Sequence, residues 1–232
     1  MTKPSFPLPE PLESLRGGLI ASCQAPLGSP LRDPAIVAKI AQATLLGGAI
    51  GLRVNGPDDI AAVRAITQVP IIGLFKVAGP QRNIITPDLP SAASLMKAGA
   101  TIIAVDATHE ARGNDFSIIP ALRRELGAIV MADVSTLDEG LRAWEAGADV
   151  VGTTLSGYTP DSPPGADSPD IELVAALAAH GATVIAEGRY RNPAQVTQAF
   201  TVGAHAVVVG TAITDPMTTS AIFARATPRG KG

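Results

Sequence analysis

The chain has 232 residues, with 18 Lys and Arg against 21 Asp and Glu, a formal net charge of −3. Hydrophobic residues at 46% supply enough apolar side chain to offset the entropy of ordering, which excludes a disordered chain. A single cysteine, Cys23, excludes a disulfide scaffold, and a slightly acidic balance without a basic stripe argues against a nucleic-acid partner.

In chain order, residues 1–15 are Pro-rich and lack the apolar core of a signal peptide, so they read as a mobile extension. The first apolar run is GLIASC (18–23), followed by an amphipathic stretch over Asp33–Leu46. The alternation continues with AIGLRV (49–54), Pro57–Ile66, PIIGLFK (70–76), Ser91–Lys97, TIIAVD (101–106), Asp115–Glu125 and AIVMAD (128–133). It ends with Thr136–Glu145, DVVGTT (149–154), Pro169–His180, TVIAEG (183–188), Pro193–Val202, AVVVGT (206–211) and Asp215–Arg225. Residues 226–232 read as a mobile tail. No apolar run approaches the roughly 20 residues needed to span a bilayer, so the expected location is the cytoplasm, with no membrane partner.

A Gly-Ala pair recurs at Gly48, Gly99, Gly127, Gly147, Gly181 and Gly203, each time between a helical pattern and an apolar run. The glycine suits the left-handed residue that ends a helix. The runs are nearly continuous in Val, Ile and Ala, the pattern of parallel strands buried on both faces. Eight strand-helix units in a chain of this length predict a (β/α)₈ barrel forming one domain over 1–232. The rival, a doubly wound open sheet, lacks a G-x-G-x-x-G turn after its first strand.

Catalytic groups of such a barrel stand at the C-terminal ends of its strands. Those ends carry Gln24, Arg53, Lys76, Asp106, Asp133, Thr153-Thr154, Glu187 and Gly210-Thr211. A strand-end lysine can simply reach for solvent. Beside a second cation and partly desolvated, however, Lys76 holds its proton weakly and suits a base or a Schiff-base nucleophile. Glu187 is either an ion-pair partner of Arg189 or Arg191, or a carboxyl acid facing that amine. Asp106 and Asp133 either orient Lys76 or hold sugar hydroxyls, and Asp133 is also placed to cap the next helix. Arg53 and Gln24 read as substrate binders. Gly188, Gly210 and Thr211 occupy the usual phosphate position of these barrels, where a glycine admits an anion to backbone N–H groups. His109, His180 and His205 do not share a rim, and no metal-ligand spacing appears. Cys23 reads as a packed small residue.

The blocks LIASCQAPLGSPL, GAIGLRVNG, VPIIGLFK, ADVSTLDEGLRAWEAGADVVGTTLSGYT, VIAEGRYRNPAQ and VVVGTAIT resemble the N-acetylmannosamine-6-phosphate 2-epimerase family from Leu19 to Thr214. The resemblance implies a phosphate-binding barrel without a cofactor that interconverts N-acetylmannosamine 6-phosphate and N-acetylglucosamine 6-phosphate in sialic acid breakdown. It implies Lys76 and Glu187 as the catalytic pair, with Gln24, Arg53 and Asp133 contacting or orienting the sugar. It also implies a homodimer in which the last helix takes part. The sequence departs from the family pattern at Val77-Ala78-Gly79, in DATHEARGND, and at Asp215, where the family often carries Arg. Arg189 and Arg82 are the cations available to compensate there. From the residues alone, three alternatives stay open: an epimerase of the unphosphorylated sugar, a lyase using Lys76 as a Schiff base, and a non-catalytic sugar-phosphate-binding barrel.

Overall fold

The computed structural model describes residues 7–163 and 167–231. It opens with α1 (Glu10–Glu13), β1 (Leu19–Cys23), α2 (Pro34–Leu46), β2 (Gly51–Asn55), α3 (Pro57–Arg64) and β3 (Ile71–Leu74). A short hairpin follows, β4 (Lys76–Ala78) and β5 (Asn83–Ile85), then α4 (Leu89–Ala98), β6 (Ile102–Asp106), α5 (His109–Arg112) and α6 (Ile118–Leu126). The chain continues through β7 (Val130–Asp133), α7 (Leu137–Glu145), β8 (Val150–Gly152), α8 (Ile171–Ala179), β9 (Val184–Glu187) and α9 (Pro193–Thr201). It finishes with β10 (Ala206–Val209), α10 (Thr211–Thr214), α11 (Pro216–Arg225) and a 3₁₀ turn over Pro228–Lys231. Eight parallel strands close into a barrel in the order β1, β2, β3, β6, β7, β8, β9, β10, with β10 returning to β1. This is the expected (β/α)₈ architecture.

Local chemistry sets the boundaries. Asp33 caps α2 by accepting from the backbone N–H of Ala35 and Ile36, with Pro34 in the first turn. Thr136 with Glu139 and Asn192 with Gln195 form reciprocal capping boxes on α7 and α9. The first glycine of all six Gly-Ala pairs has φ between 63° and 111°, as the repeat predicts.

Strand alternation sorts the core into two layers. Leu52, Val54, Val105, Ala132, Val151, Ala186 and Val207 belong to the larger cluster that also contains the helix residues. Ile20, Ile72, Leu74, Ile102, Ala104, Met131, Val150, Ile185, Ala206 and Val208 form a separate cluster that fills the barrel interior. Continued two residues at a time, that inward phase reaches Gln24, Arg53, Lys76, Asp106, Asp133, Thr154, Glu187 and Gly210.

The N-terminal segment differs from expectation. Residues 1–6 lie outside the described residues, but residues 7–15 are seated rather than loose. Leu12 and Leu15 have no exposed surface and pack into the interior cluster. His205 Nε2 lies 2.7 Å from the Leu12 carbonyl oxygen, and Gly17 N–H donates to His205 O at 2.8 Å. The segment closes the barrel floor because two leucines at helical spacing gain more by burial than the short helix costs to order. At the other end, residues 226–231 run from α11 into the 3₁₀ turn, and Gly232 lies outside the described residues. Among the described residues, no helix is long and apolar enough to cross a membrane.

Candidate active site

The interior narrows at its C-terminal end onto a charged cluster. Arg53, 1% exposed, extends from β2 across the barrel. Its Nη1 and Nη2 donate to Asp133 Oδ1 at 3.1 Å and Oδ2 at 2.6 Å. Nη1 also lies 2.8 Å from Glu187 Oε2. Thr154 Oγ1 spans the two acids, 2.6 Å from Asp133 Oδ1 and 3.2 Å from Glu187 Oε2. One buried cation thus holds two carboxylates contributed by β7 and β9. A guanidinium does this better than an ammonium because its planar fork grips one acid with two bonds while touching the other.

Glu187 is poised as a weak acid. Burial above all, and the Asp133 carboxylate with it, raise its pKa against the pull of Arg53, Thr154 and Lys76, to a net value of about 7. Lys76 shifts in the opposite direction, downward. Burial and the Arg53 cation lower its pKa, opposed by Glu187 and Asp133. These mutual influences place Lys76, Arg53, Asp133 and Glu187 in one electrostatic unit. Lys76 belongs to β4, however, and not to the barrel strand, which ends at Leu74. Its backbone N–H donates to Asn55 Oδ1 at 2.9 Å. Among the described residues, its ammonium has no hydrogen-bond or ion-pair partner.

Gln24 donates through Nε2 to Ser22 Oγ at 2.8 Å. Its Oε1 is buried and unpartnered, as is Arg53 Nε. Both atoms lie at or near the mouth, where a buried polar atom needs a partner from somewhere.

Gly188 (φ 113°) and Gly210 follow neighbouring strands, with Glu187 opposite Val208 in register. A Cβ at Gly210 would stand 3.3 Å from Ser22 Cβ, so glycine keeps that strand end open. Thr211 begins α10, and Thr214 Oγ1 ties its end back to Ser22 O at 2.7 Å. Asp215 caps α11, accepting from Thr218 N–H at 3.0 Å and Thr218 Oγ1 at 2.6 Å. Its charge is committed to that helix end.

Asp106 and Arg189 stand apart from the Arg53 cluster. Asp106 is fully buried and accepts from Arg82, Thr108 and the Ile85 N–H. Its carboxylate serves the hairpin rather than the barrel mouth. The same pairing occupies Arg82. Arg189, at φ 60°, donates to Ser168 O at 2.8 Å and Ser156 O at 2.5 Å, and its guanidinium lies 5.3 Å from the Tyr158 ring centre. It lines a cavity of about 450 Å³ with Ser156, Asp170, Gln195 and Gln198. Arg112 donates to the carbonyls of Asp106, Thr86 and Pro87, which pins loops.

Sequence reasoning had given no role to Thr154 or Asn55. Both continue the inward two-residue phase, the signal that could have found them. His109, His180 and His205 are each within hydrogen-bond distance of a backbone carbonyl oxygen, and His109 Nε2 also lies 2.9 Å from Asp138 Oδ2. Cys23 is buried and its thiol pKa is pushed up to about 11 by burial, which keeps it protonated and inert.

The family model NanE, described as "Putative N-acetylmannosamine-6-phosphate epimerase", matches residues 37–229. A Klebsiella pneumoniae protein named "Putative N-acetylmannosamine-6-phosphate 2-epimerase" is 49% identical over 199 residues, 85% of this chain and 84% of that one. A Cutibacterium acnes protein of the same name is 44% identical over 218 residues, 91% and 94% of the two chains. The solved N-acetylmannosamine-6-phosphate 2-epimerase from Clostridium perfringens superposes with a TM-score of 0.87 at 35% identity, covering 97% of this chain and all of that one. A thiamine phosphate pyrophosphorylase from Pyrococcus furiosus, at 16% identity and a TM-score of 0.61, shares the fold alone.

Proposed function

The chain belongs to the N-acetylmannosamine-6-phosphate epimerase family, and from that premise we propose that it interconverts N-acetylmannosamine 6-phosphate and N-acetylglucosamine 6-phosphate in the cytoplasm, during sialic acid breakdown. The observation that carries this reading is that Lys76 and Glu187 share one electrostatic cluster around Arg53. An amine with a lowered pKa and a carboxyl with a raised one form a base and an acid whose affinities for the proton have moved toward each other.

Inversion at C2 needs a proton removed from one face and returned to the other. A C2–H gains acidity beside a C1 carbonyl, so the aldehyde form of the sugar is the reacting species. Lys76 takes the C2 proton, the C2–H electron pair becomes the C1=C2 bond as the carbonyl pair moves onto O1 to give an enolate, and, as that pair returns to the carbonyl, C2 takes a proton from Glu187 on the opposite face. The roles exchange in the reverse direction. Every proton moves between the sugar and these two side chains, so the step uses no cofactor and no metal. Gln24 Oε1 offers an acceptor to the sugar, and Asp133 fixes Arg53. The 6-phosphate belongs at Gly188, Gly210 and Thr211, while Asp215, which follows α10, keeps its negative charge as the cap of α11. A homodimer is supported by α11, which buries none of its residues and leaves Phe223 71% exposed.

The test is incubation with N-acetylmannosamine 6-phosphate in D₂O, following C2 by NMR, with the unphosphorylated sugar in parallel. The gluco epimer carrying deuterium at C2 is the expected product, from the phosphorylated sugar. Lys76→Ala or Glu187→Ala lowers the rate by about 10²–10⁴-fold. No product and no deuterium from either sugar would refute the epimerase reading, and borohydride trapping on Lys76 would point to a lyase instead.

A further inference from the structure

Lys76 rides on a structure with little stability of its own. The β4–β5 hairpin has three residue pairs, Lys76 with Ile85, Val77 with Ile84 and Ala78 with Asn83. A two-stranded ribbon of this size does not hold itself in water. Its base is fixed by Thr86, whose N–H donates to Phe75 O at 2.7 Å and whose Oγ1 accepts from Phe75 N–H at 3.0 Å.

The turn end is held by Arg82. Nη1 donates to Asp106 Oδ2 at 2.6 Å and to Asn83 O at 2.9 Å. Nη2 donates to Asp106 Oδ1 at 3.3 Å and to Thr108 Oγ1 at 2.8 Å. Nε donates to Glu110 Oε2 at 2.7 Å. A guanidinium has five N–H groups, and these bonds use all five. Arg82 therefore has no donor left for a sugar or a phosphate. Asp106 also accepts from the Ile85 N–H at 3.4 Å, and Ile85 is the residue opposite Lys76.

We infer that Arg82 is a positioning residue: with Asp106 and Glu110 it clasps the β4–β5 hairpin onto the end of β6 and so sets where the Lys76 ammonium stands. The inference rests on Lys76 as the proton acceptor. The charged groups facing Lys76 are Arg53 from β2, Asp133 from β7 and Glu187 from β9. Lys76 is already exposed on the hairpin, so releasing the hairpin acts by moving the amine away from all three.

The test compares wild type, Arg82→Ala, Arg82→Lys and Glu110→Gln with N-acetylmannosamine 6-phosphate as substrate. Arg82→Ala is expected to lower kcat by about 10²-fold, the cost of a roughly 1 Å misplacement, and to leave KM within about twofold because substrate contacts are untouched. The limb of kcat/KM that reports Lys76 deprotonation moves to higher pH, and hydrogen exchange over residues 76–85 accelerates. Arg82→Lys recovers part of each effect. A general loss of folded protein would lower the amplitude and leave the pH limb in place. Unchanged kcat, or a rise in KM alone, overturns the inference, since the second outcome makes Arg82 a substrate contact. If Arg82→Ala does not fold, Glu110→Gln carries the same readouts at smaller amplitude. If wild type shows no turnover, the epimerase reading falls separately, and the clasp is decided by hairpin exchange and by the acylation rate of Lys76. In Arg82→Ala, faster hairpin exchange with slower acylation of a more fully protonated Lys76 sustains it, and both unchanged refute it.

Discussion

Arg53 lies at the bottom of a well of charge, and its worth is measured by what its removal leaves behind. Arg53→Leu strands Asp133 and Glu187 as two buried carboxylates with no cation. The expected cost is about 3–5 kcal/mol in urea unfolding, and Arg53→Leu with Asp133→Leu together should recover part of it. Glu187 gives the molecule a pH signature. Its folded pKa of about 7 lies above the ordinary 4.5, so between those values the unfolded chain has released a proton that the folded chain keeps. This group's contribution to stability is therefore fully present below about 4.5 and is lost as pH rises through 7. Glu187→Gln removes that loss, so its unfolding midpoint should gain on wild type across this window; parallel curves would contradict it. Asp106 and Asp133 show where residue-level reading stops. Both end an apolar run and both face inward, yet one meets Arg82 and the other Arg53. Nothing within either run encodes which distant cation arrives.

Elements were legible in proportion to their hydrophobic signal. The eight barrel strands stand out because runs such as AVVV and IIAV are apolar on both faces, and helix starts at Asp33, Thr136 and Asn192 carry their caps in the sequence. The hairpin was missed because β4 and β5 are three residues each with mixed polarity, so Lys76 read as the end of β3. The floor helix α1 was hidden by its prolines, although Leu8, Leu12 and Leu15 already carry the four-and-three spacing of a helical face. That element has a measurable share in stability. Leu12→Ala should cost about 2–5 kcal/mol by thermal or urea unfolding, the range for emptying a buried leucine site. A change below about 0.5 kcal/mol, the scale of surface substitutions, would mean that the segment is not seated.

At the scale of the whole molecule, one helix is left over. Met217, Ile222 and Phe223 of α11 are exposed, as is Ile213 just before it. The proposed homodimer would cover this stripe. Phe223→Glu should shift the sedimentation profile from dimer toward monomer while the isolated fold persists by circular dichroism. A wild type that sediments as a monomer at micromolar concentration would refute the dimer.

The seam of the barrel also sets a timetable. Leu19 pairs with Val207, and the floor helix is fastened by His205, so the ring joins residues far apart in the order of translation. At ordinary ribosome speeds β1 waits on the order of ten seconds or more for its second neighbour. Through that interval the Leu19–Cys23 edge and two floor leucines lack their final partners, which makes the nascent chain a client for chaperones and makes truncated products prone to aggregate.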